Sequence, residues 1–230
     1  MSAITTRTIR TLRELNDVSG SLKPTAQWLY RGQRDASWNL EPSLERALRR
    51  FRIPLSELRE YECRLLRQFR RHFHRYSSYL PSEEDSIEWL TYMQHHGAPT
   101  RLLDWTYSFN VALFFAIESV DVDSKCAVWV VDNDFLVAEM LTGLSPDEME
   151  IRRKNDKDPR LANKFLEKEA NTIVGVNPFR LNERLAVQQG AFLLSRRTAK
   201  PFTETFELLS QKNPTPHGCP RCACTSGILT

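Results

Sequence analysis

Ala127-Val128-Trp129-Val130-Val131 is an unbroken apolar run with strand propensity, and a strand of that kind is buried on both faces. A sheet covered on both sides needs layers around it, and the chain supplies helical patterns for them. From Ser56 the apolar positions Leu58, Tyr61, Leu65, Phe69, Phe73 and Tyr76 recur at steps of three and four, which predicts an amphipathic helix ending before Pro81. Further helices are predicted through Arg50, over Asp85 to Gln94, over Phe109 to Ser119, over Phe135 to Leu141, through Glu169, and over Leu181 to Val187. The helix from Phe109, capped by Thr106 or Ser108, is apolar nearly all round and is therefore expected at the centre of the core. Strands are predicted over Trp28 to Gly32, Thr172 to Val176 and Ala191 to Leu194. The sum is an α+β (mixed α/β) fold, a small central sheet flanked by helices.

With 230 residues, 41% of them hydrophobic, the chain has material for one good core. The expected organisation is an arm over 1–24 (a short helix or arm from Thr5 to Glu14, then a polar turn Asn16 to Gly20), a domain over 25–210 and a Cys-containing flexible tail over 211–230. A charged surface loop from Ser145 to Lys157 opens an insertion near 145–170. No apolar run is long enough to cross a bilayer and Met1 to Arg7 lacks the apolar core of a secretory signal, so a soluble, cytoplasmic protein with no membrane partner is expected. Cys63 and Cys126 read as ordinary small thiols, and no disulfide framework is implied. In the tail, His217, Cys219, Cys222 and Cys224 offer soft ligands. The Cys219/Cys222 spacing is that of a zinc half-site, but a structural site separates two ligand pairs by a longer loop, so a flexible or truncated end is the alternative to zinc.

Net charge is +3, yet Arg31 to Tyr76 holds twelve arginines and no lysine against six acidic residues. Arginine suits planar, bidentate recognition of phosphate or carboxylate, and the same surplus on the helix from Ser56 to Tyr76 could serve nucleic acid or be a solvated face.

The polar groups with site-like placement fall in three blocks. In Tyr30-Arg31-Gly32-Gln33 an Arg ends a strand beside a Gly that permits close backbone approach. In His95-His96-Gly97-Ala98-Pro99-Thr100-Arg101-Leu102-Leu103-Asp104-Trp105-Thr106, Pro99 and Gly97 present side chains from an ordered but irregular segment. His95 and His96 point in different directions on any regular element, so at most one serves a site, and His96, directly before Gly97, is the candidate. Asp104 either caps the following helix or pairs with Arg101 or Arg31. In Gln188-Gln189-Gly190 two amides stand between a helix and a strand, placed to read a nucleobase or nicotinamide edge or only to satisfy a turn.

The order and spacing of YRGQ, HHGAPTRLLDWT and RLAVQQGAF (Arg184 to Phe192) over roughly residues 25 to 195 resemble the FRG domain family, which occurs in bacterial and phage-related settings. More distantly, an Arg on an early strand followed by Gly is similar to ADP-ribosyltransferases. That resemblance implies NAD as substrate, Arg31 on its pyrophosphate or ribose, Tyr30 or Trp105 stacked on nicotinamide, and Arg101 on phosphate. Gln33, Thr100, Asp104 and Gln188 join the ligand-binding set, and Arg31, His96 and Gln189 the catalytic one. Where DNA-modifying relatives carry a carboxylate this chain has Gln189, which cannot take a proton or stabilise a cationic sugar as a carboxylate does; Glu183 is the nearest substitute. Three functions are therefore open: a nucleotide-dependent, ADP-ribosyltransferase-like effector, toxin or defence enzyme; a non-catalytic nucleotide- or nucleic-acid-binding module using the Arg-rich helix; or a structural network of Arg31, Arg101 and Asp104.

Overall fold

The computed structural model describes residues 4–22, 27–77, 79–119, 124–155, 158–177, 187–212 and 220–225. Its axis is β4 (Lys125–Asp132), whose residues from Cys126 to Val131 are buried without a break. Alternate residues feed opposite faces of a pleated strand. Accordingly Trp129 and Val131 enter one apolar cluster, and Cys126, Val128 and Val130 another.

Around β4 runs a sheet of seven strands. The strands are β1 (Thr5–Ile9), β2 (Trp28–Gln33), β3 (Leu103–Thr106), β5 (Ile173–Val176), β6 (Gly190–Ser195) and β7 (Pro220–Thr225), in the order β1-β7-β4-β2-β3-β6-β5. Pairing is parallel between β1 and β7 and antiparallel elsewhere. One face is covered by α1 (Leu12–Ser21) and α5 (Phe109–Ile117), through Leu15, Val18, Ala112 and Ala116. On the other, α6 (Asn133–Thr142) brings Leu136, and α9 (Phe202–Lys212) brings Phe202, Phe206 and Leu209. A third cluster packs α3 (Leu58–Phe73), α4 (Ser86–His95) and α8 (Pro159–Glu167) against Val174, Val176, Phe192 and Leu194 of β5 and β6. The short α2 (Ser43–Arg50) joins α3 through Leu44, Leu48 and Leu58. Among the described residues no helix is long and apolar enough to cross a membrane.

Several local readings change. Leu103 to Thr106, within the segment expected to be irregular, is a strand that buries Leu103 and Trp105 and turns Asp104 outward. Asp104 therefore does not cap α5; Ser108 does, accepting from the Val111 N–H. Nor is α5 wholly buried, since only Ala112 and Ala116 are fully covered and Phe114 is 56% exposed. The stretch from Ser145, expected as a loop, contains the helix α7 (Pro146–Lys154). Its start was written in the sequence: Ser145 and Glu148 form a reciprocal capping box around Pro146. Glu148 is buried, and the Ser145 N–H together with Lys164 and Lys168, each 3.2 Å away, holds its carboxyl down to about 2. At the chain's start, β1 precedes α1, and the expected turn Asn16 to Gly20 lies inside that helix. Residues 220–225, placed in a flexible tail, form β7 between β1 and β4. The helix expected over Leu181 to Val187 lies, but for Val187, outside the described residues, as do His217 and Cys219.

Two features set β2 apart. It pairs with β4 along all six residues, and β3 pairs with β6 along four, but β2 and β3 meet only at Tyr30 and Thr106. On the opposite face α5 crosses β2 so closely that a Cβ on Gly32 would stand 1.9 Å from the Ala112 carbonyl oxygen and 2.7 Å from the Ala116 nitrogen. Both are backbone atoms, which no side-chain rotation relieves. Gly32→Ala is expected to lower stability by about 3 kcal/mol or more, since overpacking against backbone forces a helix shift. Urea unfolding checks this, and a loss below about 1 kcal/mol would mean that α5 gives way easily.

Candidate functional site: a cleft at the parting of two strands

Where β2 and β3 separate, a cleft of about 950 Å³ opens, walled by α2, the loop from Arg34 to Glu41, the first turns of α5 and the start of α9. Arg31 stands at the parting. Its Nη1 donates to the Asp104 carbonyl oxygen at 2.7 Å, so the guanidinium bridges strands that no longer share a ladder. Its Nε–H is enclosed without an acceptor among the described residues. Burial pushes the guanidinium's pKa down, Asp104 raises it and Arg46 lowers it further; Arg nonetheless remains a cation in proteins.

Asp104 is exposed, with Oδ1 accepting from Gln94 Nε2 at 2.7 Å. The Gln94 amide is oriented in turn, because its oxygen accepts from the Thr100 hydroxyl. Beyond Arg31 and Asp104 lies a smaller compartment of about 230 Å³, reached also by Thr91, Gln94, His95 and Gln188.

Of the residues singled out in the sequence, Tyr30, Arg31, Gln33, Asp104, Trp105 and Gln188 line the main cleft. Tyr30 packs edge-on against Phe109 at 5.5 Å, and burial raises its phenol. Gln33 holds the rim: its Nε2 donates to the Asn39 carbonyl at 3.1 Å and its Oε1 accepts from the Trp129 indole at 2.6 Å. Trp105 stacks on Phe206, and its indole N–H has no acceptor among the described residues. The Gln188 carbonyl accepts from the Thr106 hydroxyl at 2.7 Å.

Four expected residues stand apart. Arg101 is buried against Glu62, with Nε donating at 2.6 Å, and joins α3 to the start of β3 rather than meeting Asp104 or Arg31. Thr100 is fully buried, and its carbonyl accepts from the Leu44 N–H at 2.9 Å, tying the motif to α2. His96 ends α4 with its ring 5.6 Å from Phe73 and 6.0 Å from Phe69; it is His95 that reaches the smaller compartment. Gln189, at φ +48°, is exposed and turns the chain into β6, its carbonyl accepting from the Tyr107 N–H at 3.0 Å.

The cleft also holds groups the sequence reading did not single out. Glu45 of α2 is 5% exposed, and its two oxygens lie 3.1 and 3.2 Å from the Phe202 N–H at the start of α9. Burial, offset by that hydrogen bond, pushes its carboxyl up to about 8. Arg46 and Arg49 stand on the same helix, and Trp38 lies half-exposed at the rim under the Arg34 guanidinium, 5.1 Å from it. Arg34 and Trp38 carried a signal in their spacing of four. Glu45 carried none, because its partner lies 157 residues away.

Residues 26–125 match the FRG domain family. No curated protein and no solved structure gives a significant match.

The Arg101–Glu62 pair is a structural tie. Arg101→Ala strands a buried carboxylate and is expected to cost about 3–5 kcal/mol in urea unfolding. Glu45 behaves differently. With its pKa up from 4.5 to about 8 in the folded chain, it favours folding below 4.5 and loses that contribution as pH rises through 8. Thermal midpoints of Glu45→Gln should therefore gain on those of the unmodified chain from pH 5 to pH 8; a constant difference would show that Glu45 is already ionised.

Proposed function

The chain carries an FRG domain over residues 26–125, and on that premise we propose that its cleft binds NAD and transfers the ADP-ribosyl group to an acceptor. The observation that supports this is the guanidinium of Arg31, fixed on the Asp104 carbonyl in a cleft that also holds aromatic surfaces and three carboxyl groups. A dinucleotide needs these parts: cations for the pyrophosphate, flat apolar walls for its rings, amides for ring edges. In this reading Arg31 and Arg46 hold phosphate, Tyr30 and Trp38 flank a ring, and Gln188 reads the nicotinamide edge.

Transfer breaks the bond between nicotinamide nitrogen and the ribose anomeric carbon, the electron pair leaving with nicotinamide, while the acceptor's O–H or N–H nucleophile bonds to that carbon and gives up its proton. The sugar is cationic at the transition state, so a carboxylate beside it is stabilising. Gln189 offers none, and Asp104 takes that role here, its Oδ1 already oriented by Gln94. Glu45, whose carboxyl holds a proton near neutrality, is the group fit to exchange one. The setting that goes with this reading is a cytoplasmic effector, toxin or defence protein of a bacterium or phage.

The experiment pairs NAD titration by calorimetry with nicotinamide release and transfer of labelled ADP-ribose to cell extract. Arg31→Ala is expected to abolish binding, with circular dichroism checking that the fold survives. Asp104→Asn should bind NAD within a few-fold of the unmodified chain yet lose about 10²-fold or more in release and transfer. Binding without turnover in the unmodified chain would make this a nucleotide-binding module, and binding unchanged by Arg31→Ala would place the ligand elsewhere.

A further inference from the structure

The arginine surplus divides by partner. In α2, Arg49 is held at 2.9 Å by both oxygens of Glu41, and Arg46 donates to the Glu41 backbone carbonyl. Arg50 and Arg52 are exposed and make no side-chain hydrogen bond or ion pair with a described residue. Between them Phe51 is 71% exposed.

How Phe51 comes to be there is a matter of backbone geometry. The helix ends in a paired turn in which the Arg52 N–H donates to the Arg49 carbonyl at 3.1 Å and the Ile53 N–H to the Leu48 carbonyl at 2.9 Å. Arg52 is the left-handed residue of that turn, at φ +58°, a position that favours glycine or asparagine. The turn sends Ile53 back to pack against Leu44, Leu48 and Leu58 and leaves Phe51 at the tip. A long cation thus occupies a costly backbone position beside an aromatic ring that joins no apolar cluster among the described residues. Arg46, Arg49 and Arg50, at i, i+3 and i+4, carry the same charge along one helix face to the mouth of the cleft.

We infer that this face of α2 and the turn after it bind single-stranded nucleic acid, with a base stacked on Phe51 and phosphates on Arg46, Arg50 and Arg52. Interleaved cations and an exposed ring are what an unpaired strand requires, because each base has a free face to stack and each linkage a charge to neutralise. A duplex keeps its bases stacked on one another and leaves Phe51 without a partner. A lipid surface is disfavoured because the apolar side of α2, Leu44 and Leu48, is already buried in the fold. The inference shares Arg46 with the proposed NAD site but does not rest on NAD turnover, since Arg50, Phe51 and Arg52 do not line the cleft.

The test is fluorescence anisotropy with a labelled oligothymidylate, against a duplex of equal length, an acidic peptide and phosphatidylserine vesicles. The unmodified chain should prefer the single strand, with log K falling against log salt at a slope of about −2 for three phosphates. Phe51→Ala should weaken binding about tenfold while leaving the thermal midpoint unchanged. Arg50→Glu and Arg52→Gly should each flatten the slope by roughly 0.7, the glycine also relieving the left-handed backbone. Equal affinity for duplex, binding indifferent to Phe51→Ala, or a preference for vesicles or the acidic peptide would overturn the assignment.

Discussion

Where α5 crosses β2, the backbone of Ala112 comes so near Gly32 that no side chain fits between them, and this contact decides what the neighbouring strands do. A helix seated that deep brings Val111 and Phe115 to the edge of the gap between β2 and β3. The same strand must offer no Cβ at Gly32 and a long cation one residue earlier, on the other face. Arg31 then spans the gap to the Asp104 carbonyl. Opening a sheet in this way strips backbone groups of their ladder partners, and a side chain that restores one of those bonds lowers the cost of keeping the gap open.

The charged groups near the gap divide by what their partners leave unsatisfied. Arg101 and Glu62 are paired in the interior through Glu62 Oε2, so the pair fixes α3 against the start of β3, away from the cleft. Among the described residues Glu45 accepts only from a backbone N–H, which satisfies it in part and leaves a carboxyl that resists ionisation. Arg31 likewise spends one N–H on a carbonyl and keeps another enclosed without an acceptor among the described residues. Incompletely satisfied groups of this kind are costly to a fold, and Arg31, Glu45 and Trp105 bring three of them to one cavity.

Most of the fold was legible where pattern and burial coincide. The run at Ala127–Val131, the steps of three and four along α3, and Trp28–Gly32 all appear as elements at nearly their expected limits. Leu103 to Thr106 was obscured because four residues are too few to display alternation beside a Gly/Pro turn, and α7 because its charge hid a capping box. In the candidate site, the YRGQ block and Asp104 could each be singled out from turn residues beside them in sequence, but not their meeting, which spans 73 residues. Arg101 stayed open between two readings because an interior ion pair and a phosphate contact call for the same side chain, and only the position of Glu62, 39 residues away, separates them. His96 and His95 exchange places for a similar reason: the end of α4 decides which ring reaches the smaller compartment, and one residue's rotation is beyond sequence periodicity.

The segment that carries the family's signature is smaller than the unit that folds. Residues 26–125 contain β2, β3 and α5 but stop where β4 begins, and β3's only ladder of any length is with β6. Gln188, Pro201 and Thr203 line the cleft, and the N–H that Glu45 needs belongs to Phe202. Excised alone, the recognisable segment would present two bare strand edges and a carboxylate with nothing to cap. Its boundaries mark where the sequence pattern can be recognised, whereas cooperative folding requires the later strands and the helix that closes over them.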